Sequence, residues 1–150
     1  MSALQDVLDR SIRDATPFTR SLFEADQWNA ARVVGFVNDC RNATIATVTA
    51  AGEPHAAVVI AAAVEDVIHV TVAPPSLLAR NLTHNPRVAF TICDRSYAVM
   101  GTGVAVLAAR SLDDPDLMGR LAAASASGTF TPPGWDGLVY RLEPDRIFAS

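Results

Sequence analysis

The chain contains no lysine; all 12 of its basic side chains are arginine. A lysine Schiff base to a pyridoxal-type aldehyde is therefore excluded, and any bound anion must be held by guanidinium groups, hydroxyls or backbone N–H groups. Cysteine is nearly as scarce. Cys40 and Cys93 lie in apolar surroundings without metal-site spacing, which predicts buried thiols rather than a disulfide or a ligand pair. The histidines, His55, His69 and His84, are far apart and show no ligand spacing, so no metal centre is expected. No apolar run reaches the roughly 18 residues of a membrane span, because Glu65 and Asp66 interrupt the longest candidate. Asp6, Asp9, Arg10, Arg13 and Asp14 fall where a signal peptide needs an uninterrupted apolar stretch. A cytoplasmic protein with no membrane partner is the expectation. Missing too are a GxSxG elbow, a P-loop and a GxGxxG turn, which leaves acyl transfer, nucleotide hydrolysis and a Rossmann site without support. A formal charge of −4 with scattered arginines argues against a nucleic-acid partner.

What is present is apolar and strand-rich. With 150 residues, 50% of them hydrophobic, the chain can bury one core and is too short for two ordinary domains. It reads as one domain, 1–150, carrying a helical extension over about residues 1–28. Leu4, Val7, Leu8 and Ile12 recur at helical spacing before Pro17, predicting an amphipathic helix that docks on the main body or on a partner. A second helix carries Ala30, Val33, Val34 and Val37 on one stripe, with Asp26 or Asn29 as its cap. From Asn42 to Asp94 the order reads strand, turn, strand, strand, helix, strand. The turn is Ala51-Gly52-Glu53-Pro54. The third strand alternates Ile68, Val70 and Val72 with Val67, His69 and Thr71, the pattern of a strand covered mainly on one side. Tyr97 to Ala109 is long for a strand, and Gly101 and Gly103 within it mark a bend. Asp113 or Asp114 then caps a helix that begins at Pro115 and runs to about Ser125, followed by a loop from Gly128 to Gly137.

Three phrases, ATIATVTAAGEPHAAVV, PPSLLARNLTHNPRVAFTI and YRLEPDRIFAS, resemble the pyridoxamine 5'-phosphate oxidase-like family of flavin-binding split barrels. The resemblance covers roughly Asn29 to Ser150, and the helix phrase with Asn81, Leu82, Asn85 and Pro86 is its most specific part. It implies a mainly β fold with flanking helices, an antiparallel FMN-binding split β-barrel of about six strands. It also implies a homodimer with the cofactor held between subunits. It does not imply one reaction, because members include FMN enzymes, deazaflavin-dependent reductases, haem-handling proteins and binders.

The candidate site is the helix after the third strand. Pro74-Pro75 stops the strand, Ser76 can cap the helix, and the free N–H groups of its first turn favour an anion such as a cofactor phosphate. Arg80, one turn on, can point to the same side and grip a phosphate bidentately. Ser76 serves equally as a plain cap and Arg80 as a solvated side chain. Leu77 and Leu78 stand where flavin-holding members often carry basic residues, and Leu78 and Leu82 suit packing on the barrel. The resemblance places an isoalloxazine or deazaflavin ring along Val58, Val59, Ile60, Thr71, Val72 and Ala73, held mainly by backbone groups. Trp135 and Tyr97 are candidates to cover that ring from the opposite subunit, with ordinary interface or loop packing as the other reading of each.

Three readings follow. The first is a dimeric oxidoreductase using FMN or the deazaflavin coenzyme, with hydride exchanged between the cofactor and a small substrate and no general acid or base assigned. The second is a non-catalytic binder or carrier of a flavin, a deazaflavin or haem. The third is a split barrel with a degenerate site, acting through its surface.

Overall fold

The computed structural model describes residues 3–150; residues 1 and 2 of the expected N-terminal extension lie outside the described residues. Six strands, β1 (Asn42–Val48), β2 (Pro54–Val64), β3 (Val67–Val72), β4 (Arg87–Cys93), β5 (Ala98–Arg110) and β6 (Leu138–Ala149), close into an antiparallel barrel in the order β1-β2-β3-β6-β5-β4. Five α-helices flank it: α1 (Ala3–Arg13), α2 (Pro17–Phe23), α3 (Ala30–Cys40), α4 (Leu77–His84) and α5 (Pro115–Ala124). Alternation places Ile45, Ala61, Val70, Phe90, Val99 and Ile147 inside the barrel. A smaller apolar cluster outside it joins Ala62 and Val139 to Leu117, Leu121 and Phe130.

The barrel is completed by side chains where its strands run out of partners. β6 pairs with β3 only from Leu138 to Arg141, so the remainder of that edge exposes backbone donors. Ser11 of α1 accepts the Ile147 N–H at 3.0 Å, Gln27 accepts the Ala149 N–H at 3.3 Å, and the Trp28 N–H bonds the Ala149 carbonyl at 3.3 Å. The amphipathic face of α1 thus docks on the barrel. On the other side β2 overruns β1, whose pairing stops at Asn42↔Ile60. There Asn38 of α3 replaces a strand: its amide donates to the Ala63 carbonyl at 3.0 Å and accepts from the Ala63 N–H at 2.7 Å.

Caps and turns follow local chemistry. Asn29 caps α3, Ser76 caps α4 and Asp114 caps α5 ahead of Pro115. Pro17 does more than end α1; it occupies the first turn of α2 behind the Thr16 cap, a short helix that the sequence pattern did not single out. Gly103 sits at a register shift between β5 and β6, where a Cβ would overlap the backbone of Glu143 and Pro144. That close approach, rather than a positive φ, demands glycine.

Two expectations need correction. β3 is covered on both faces, because α5 and the 128–137 segment pack outside the barrel; His69 and Thr71 are 6% and 7% exposed. The cysteines are not both buried, since Cys93 points outward on β4 and is exposed while Cys40 is half-buried. Burial pushes the Cys40 thiol pKa up, with Asp94 and Asp39 adding to the effect. Among the described residues no helix is long and apolar enough to cross a membrane.

Candidate functional site

The distinguishing event is a parting of two strands. β2 and β3 leave the turn at Glu65-Asp66 paired, but their register ends at Ala61↔Val70. Beyond that point β2 stays with β1 as far as Val48↔Pro54, while β3 stays with β6 as far as Val72↔Leu138. Where the next main-chain bond would form, the Ile60 N–H instead donates to the Thr71 hydroxyl oxygen at 3.2 Å. The strands therefore diverge from Thr71 onward, leaving backbone groups of Val58 and Ala73 outside the β2–β3 ladder.

A cleft of about 330 Å³ lies over this parting. Val58, Ile60, Thr71 and Ala73 present their outward faces to it. Val59 and Val72 contribute backbone, since Val72 is buried in the barrel and Val59 packs against the core. Ser76 and Leu78 close one end, and Thr131, Pro132 and Trp135 form the opposite wall. The lining carries no ionisable side chain, which makes the cleft apolar with a few hydroxyl and backbone groups.

Trp135 is held by its own chain. The Ser111 hydroxyl donates to the Trp135 carbonyl at 2.7 Å and accepts the Gly137 N–H at 2.9 Å. Arg110 grips Asp136 through two nitrogens at 2.9 and 3.1 Å. That guanidinium holds the Asp136 carboxyl below its ordinary pKa. The Trp135 ring folds back over Gly137, whose missing side chain makes room for it.

A second cleft of about 320 Å³ adjoins the first across Ser76 and is lined by Pro74, Pro75, Ala79, Arg80, Thr83, Leu138 and Tyr140. Ser76 is committed to its cap: its hydroxyl donates to the Ala73 carbonyl at 2.7 Å and accepts the Ala79 N–H at 3.1 Å. With Arg80 N–H bonded to the Ser76 carbonyl at 3.2 Å, the Leu77 and Leu78 amides are the first-turn donors left outside the cap. Arg80 is exposed and forms no ion pair among the described residues. Of these groups Arg80 lines this second cleft, and Leu78 lines the first.

The structure thus brings Val58, Val59, Ile60, Thr71, Val72, Ala73, Ser76 and Trp135 to one cleft and Arg80 to its neighbour. Tyr97 is elsewhere. It packs edge-on against Trp28 at 5.3 Å between ring centres, with the Arg32 guanidinium 4.2 Å from the Trp28 ring and 5.5 Å from that of Tyr97. Leu78 and Leu82 are buried, and Asn81 between them donates to the Thr47 hydroxyl at 3.0 Å, fixing α4 to β1. None of the histidines lines either cleft. The sequence reading missed Thr131, Pro132, Leu138 and Tyr140. The run Thr131-Pro132-Pro133-Gly134-Trp135 marked a stiff turn carrying an aromatic, but nothing local said which surface it would meet.

The family model described as pyridoxamine 5'-phosphate oxidase matches residues 30–147. No curated protein matches the sequence. A conserved hypothetical protein of Mycobacterium tuberculosis superposes with a TM-score of 0.64 at 23% identity, over 81% of this chain and 84% of that one. HutZ, a heme storage protein from Vibrio cholerae, superposes with a TM-score of 0.58 at 19% identity, over 79% of this chain and 92% of that one. An FAD binding protein from Mycobacterium smegmatis gives 0.59 at 16% identity, over 83% and 95% of the two chains. At these identities the likeness establishes the fold.

Proposed function

The chain belongs to the pyridoxamine 5'-phosphate oxidase family, and on that footing we propose that it holds FMN or the deazaflavin coenzyme in the β2–β3 cleft and acts as an oxidoreductase on a small substrate. The observation that carries this reading is the parting of β2 from β3 beneath Trp135, beside a helix start that carries Arg80. Ligand pockets span roughly 300–1,000 Å³, and the cleft of about 330 Å³ falls at the lower end of that range. Main-chain groups of Val58 and the Ala73 N–H would meet the polar edge of a planar ring, Trp135 would stack on it, and Val58, Ile60 and Leu78 would exclude water. Arg80 with the Leu77 and Leu78 amides would hold a phosphate. When bound, a flavin or deazaflavin supplies hydride exchange at its ring. The chain's own contribution is orientation and a dry surface.

Within this fold one similar structure is of an FAD binding protein and another of a heme storage protein. A flavin suits this chain better, because no histidine, cysteine, methionine or tyrosine lines the ring cleft to ligate iron. A non-catalytic carrier is the second reading, favoured by the absence of any ionisable group from that lining.

A homodimer is part of the proposal. Val58 is 72% exposed on the outer barrel face. A shallow apolar depression of about 320 Å³ beside it is lined by Ala46, Ala89 and Met100 among others, and a second copy would cover both.

The test is the absorption spectrum of the purified protein, with titration by FMN, the deazaflavin coenzyme and haem. Saturable one-to-one binding of FMN or deazaflavin, weakened about tenfold by Arg80→Ala, supports the reading. A protein that takes up neither overturns it, and a bound cofactor that no reducible substrate reoxidises favours the carrier. Light scattering reads the oligomeric state, where a monomer at micromolar concentration would sink the two-chain site.

A further inference from the structure

The Thr71 side chain does two jobs at the cleft floor, of which only one is filled by the chain. Its oxygen accepts the Ile60 N–H at 3.2 Å, and this is its one side-chain hydrogen bond among the described residues. A threonine hydroxyl offers one O–H donor beside two lone pairs. Thr71 is 7% exposed and its outward face borders the cleft. A buried donor without an acceptor is costly, so a ligand that brings an acceptor there gains what the apolar lining cannot supply.

We propose that Thr71 is a specificity-determining residue of the cleft, its hydroxyl donating to a carbonyl or imine-type acceptor on the edge of a planar heteroaromatic ring while the same oxygen keeps β2 and β3 apart. The inference rests on the cofactor reading above and adds to it the class of ring. A ring system with acceptors on its edge, as in a flavin or deazaflavin, satisfies the donor. A haem carries acceptors only on its two propionates, so a haem seated with its hydrocarbon edge against Thr71 leaves the donor unpaired. The rest of the floor, Val58, Ile60 and Ala73, is apolar, which makes Thr71 its single side-chain polar contact. Val58 and Ala73 add backbone groups whose spacing is set by how far the Thr71 bond holds the strands open.

The experiment compares wild type, Thr71→Ser, Thr71→Val and Thr71→Cys in titrations with FMN and with haem, each variant first checked for folding by circular dichroism. Expected are wild-type-like FMN affinity for Thr71→Ser, a loss of about three- to tenfold for Thr71→Val, and haem affinity unchanged across the set. Thr71→Cys keeps the bulk but donates weakly, so it should fall with Thr71→Val, and it carries the test if the valine variant does not fold. The visible band of bound FMN should differ between Thr71→Ser and the two weak-donor variants. Equal FMN affinity and an identical band in wild type and Thr71→Cys would overturn the role of Thr71 and leave the cofactor reading intact. A wild-type protein that does not bind FMN or deazaflavin would overturn that reading and this inference together.

Discussion

The Ser111 hydroxyl donates to the Trp135 carbonyl at 2.7 Å, across 24 residues of chain, and accepts the Gly137 N–H on its other side. This buried serine holds the wall of the cleft in place. Ser111→Ala leaves a part-buried carbonyl and a buried N–H without a partner, and should lower stability by about 1–3 kcal/mol in urea unfolding. A loss under about 0.5 kcal/mol would mean that solvent or a shifted loop replaces the serine.

Asn38→Ala removes the side chain that bonds both main-chain groups of Ala63 where β2 has outrun β1. A cost of about 2–3 kcal/mol is expected, and amide exchange at Ala63 should accelerate. If Ala63 stays protected, another group covers that edge.

Gly103→Ala places a methyl group against the backbone of Glu143 and Pro144, neither of which can rotate away. Destabilisation of about 1–3 kcal/mol or more follows. Gly119→Ala is the control, because a Cβ there meets nothing within 4 Å. It should stabilise slightly, as alanine does inside a helix. Equal midpoints for both variants would show that β5 and β6 can slide apart.

The turn between β2 and β3 places Glu65 at φ 53° and Asp66 at φ 61°, a left-handed pair that suits glycine or asparagine. Asp66→Gly should therefore raise stability by about 0.5–1 kcal/mol, read as a higher thermal midpoint. An unchanged or lower midpoint would show that the aspartate is retained for a contact that outweighs its strain.

His69 gives the pH dependence its sign. Burial lowers its pKa below the ordinary 6.5, with Arg120 and Arg141 adding to the fall. The unfolded chain therefore binds this proton more readily than the folded one, so the contribution of His69 to stability is full above about pH 6.5 and is lost as pH falls from there through its lowered folded-state pKa. His69→Gln should flatten the stability profile between about pH 7 and 5. An unchanged slope would assign the dependence to other groups.

Much of the architecture was legible in the chain. The capping residues Asn29, Ser76 and Asp114, the turn at Gly52, the bend at Gly101 and Gly103, and the strand–helix–strand order are all set within a few residues, where propensity and periodicity act. The helix at Pro17–Phe23 was not legible, because seven residues carry too little periodicity to separate a helix from a turn. The full burial of β3 was hidden for a different reason. Its outer face lies between Ala62 of β2 and Val139 of β6, on which α5 and Phe130 pack, and beside the loop ending at Trp135; α5, Phe130 and that loop all come from more than 40 positions later in the chain.

The same division runs through the candidate site. The residue types, an apolar strand pair, a capped helix start with one arginine and an aromatic loop, were written in the sequence, together with the absence of lysine that confines any anion to arginine, hydroxyl and backbone donors. Tertiary structure alone decided that Trp135 faces the cleft of its own chain and that Tyr97 packs against Trp28. It alone decided that Thr71 takes the bond at which β2 and β3 separate. Those outcomes depend on which group meets which partner on another element of the fold, and a local pattern carries no such distances.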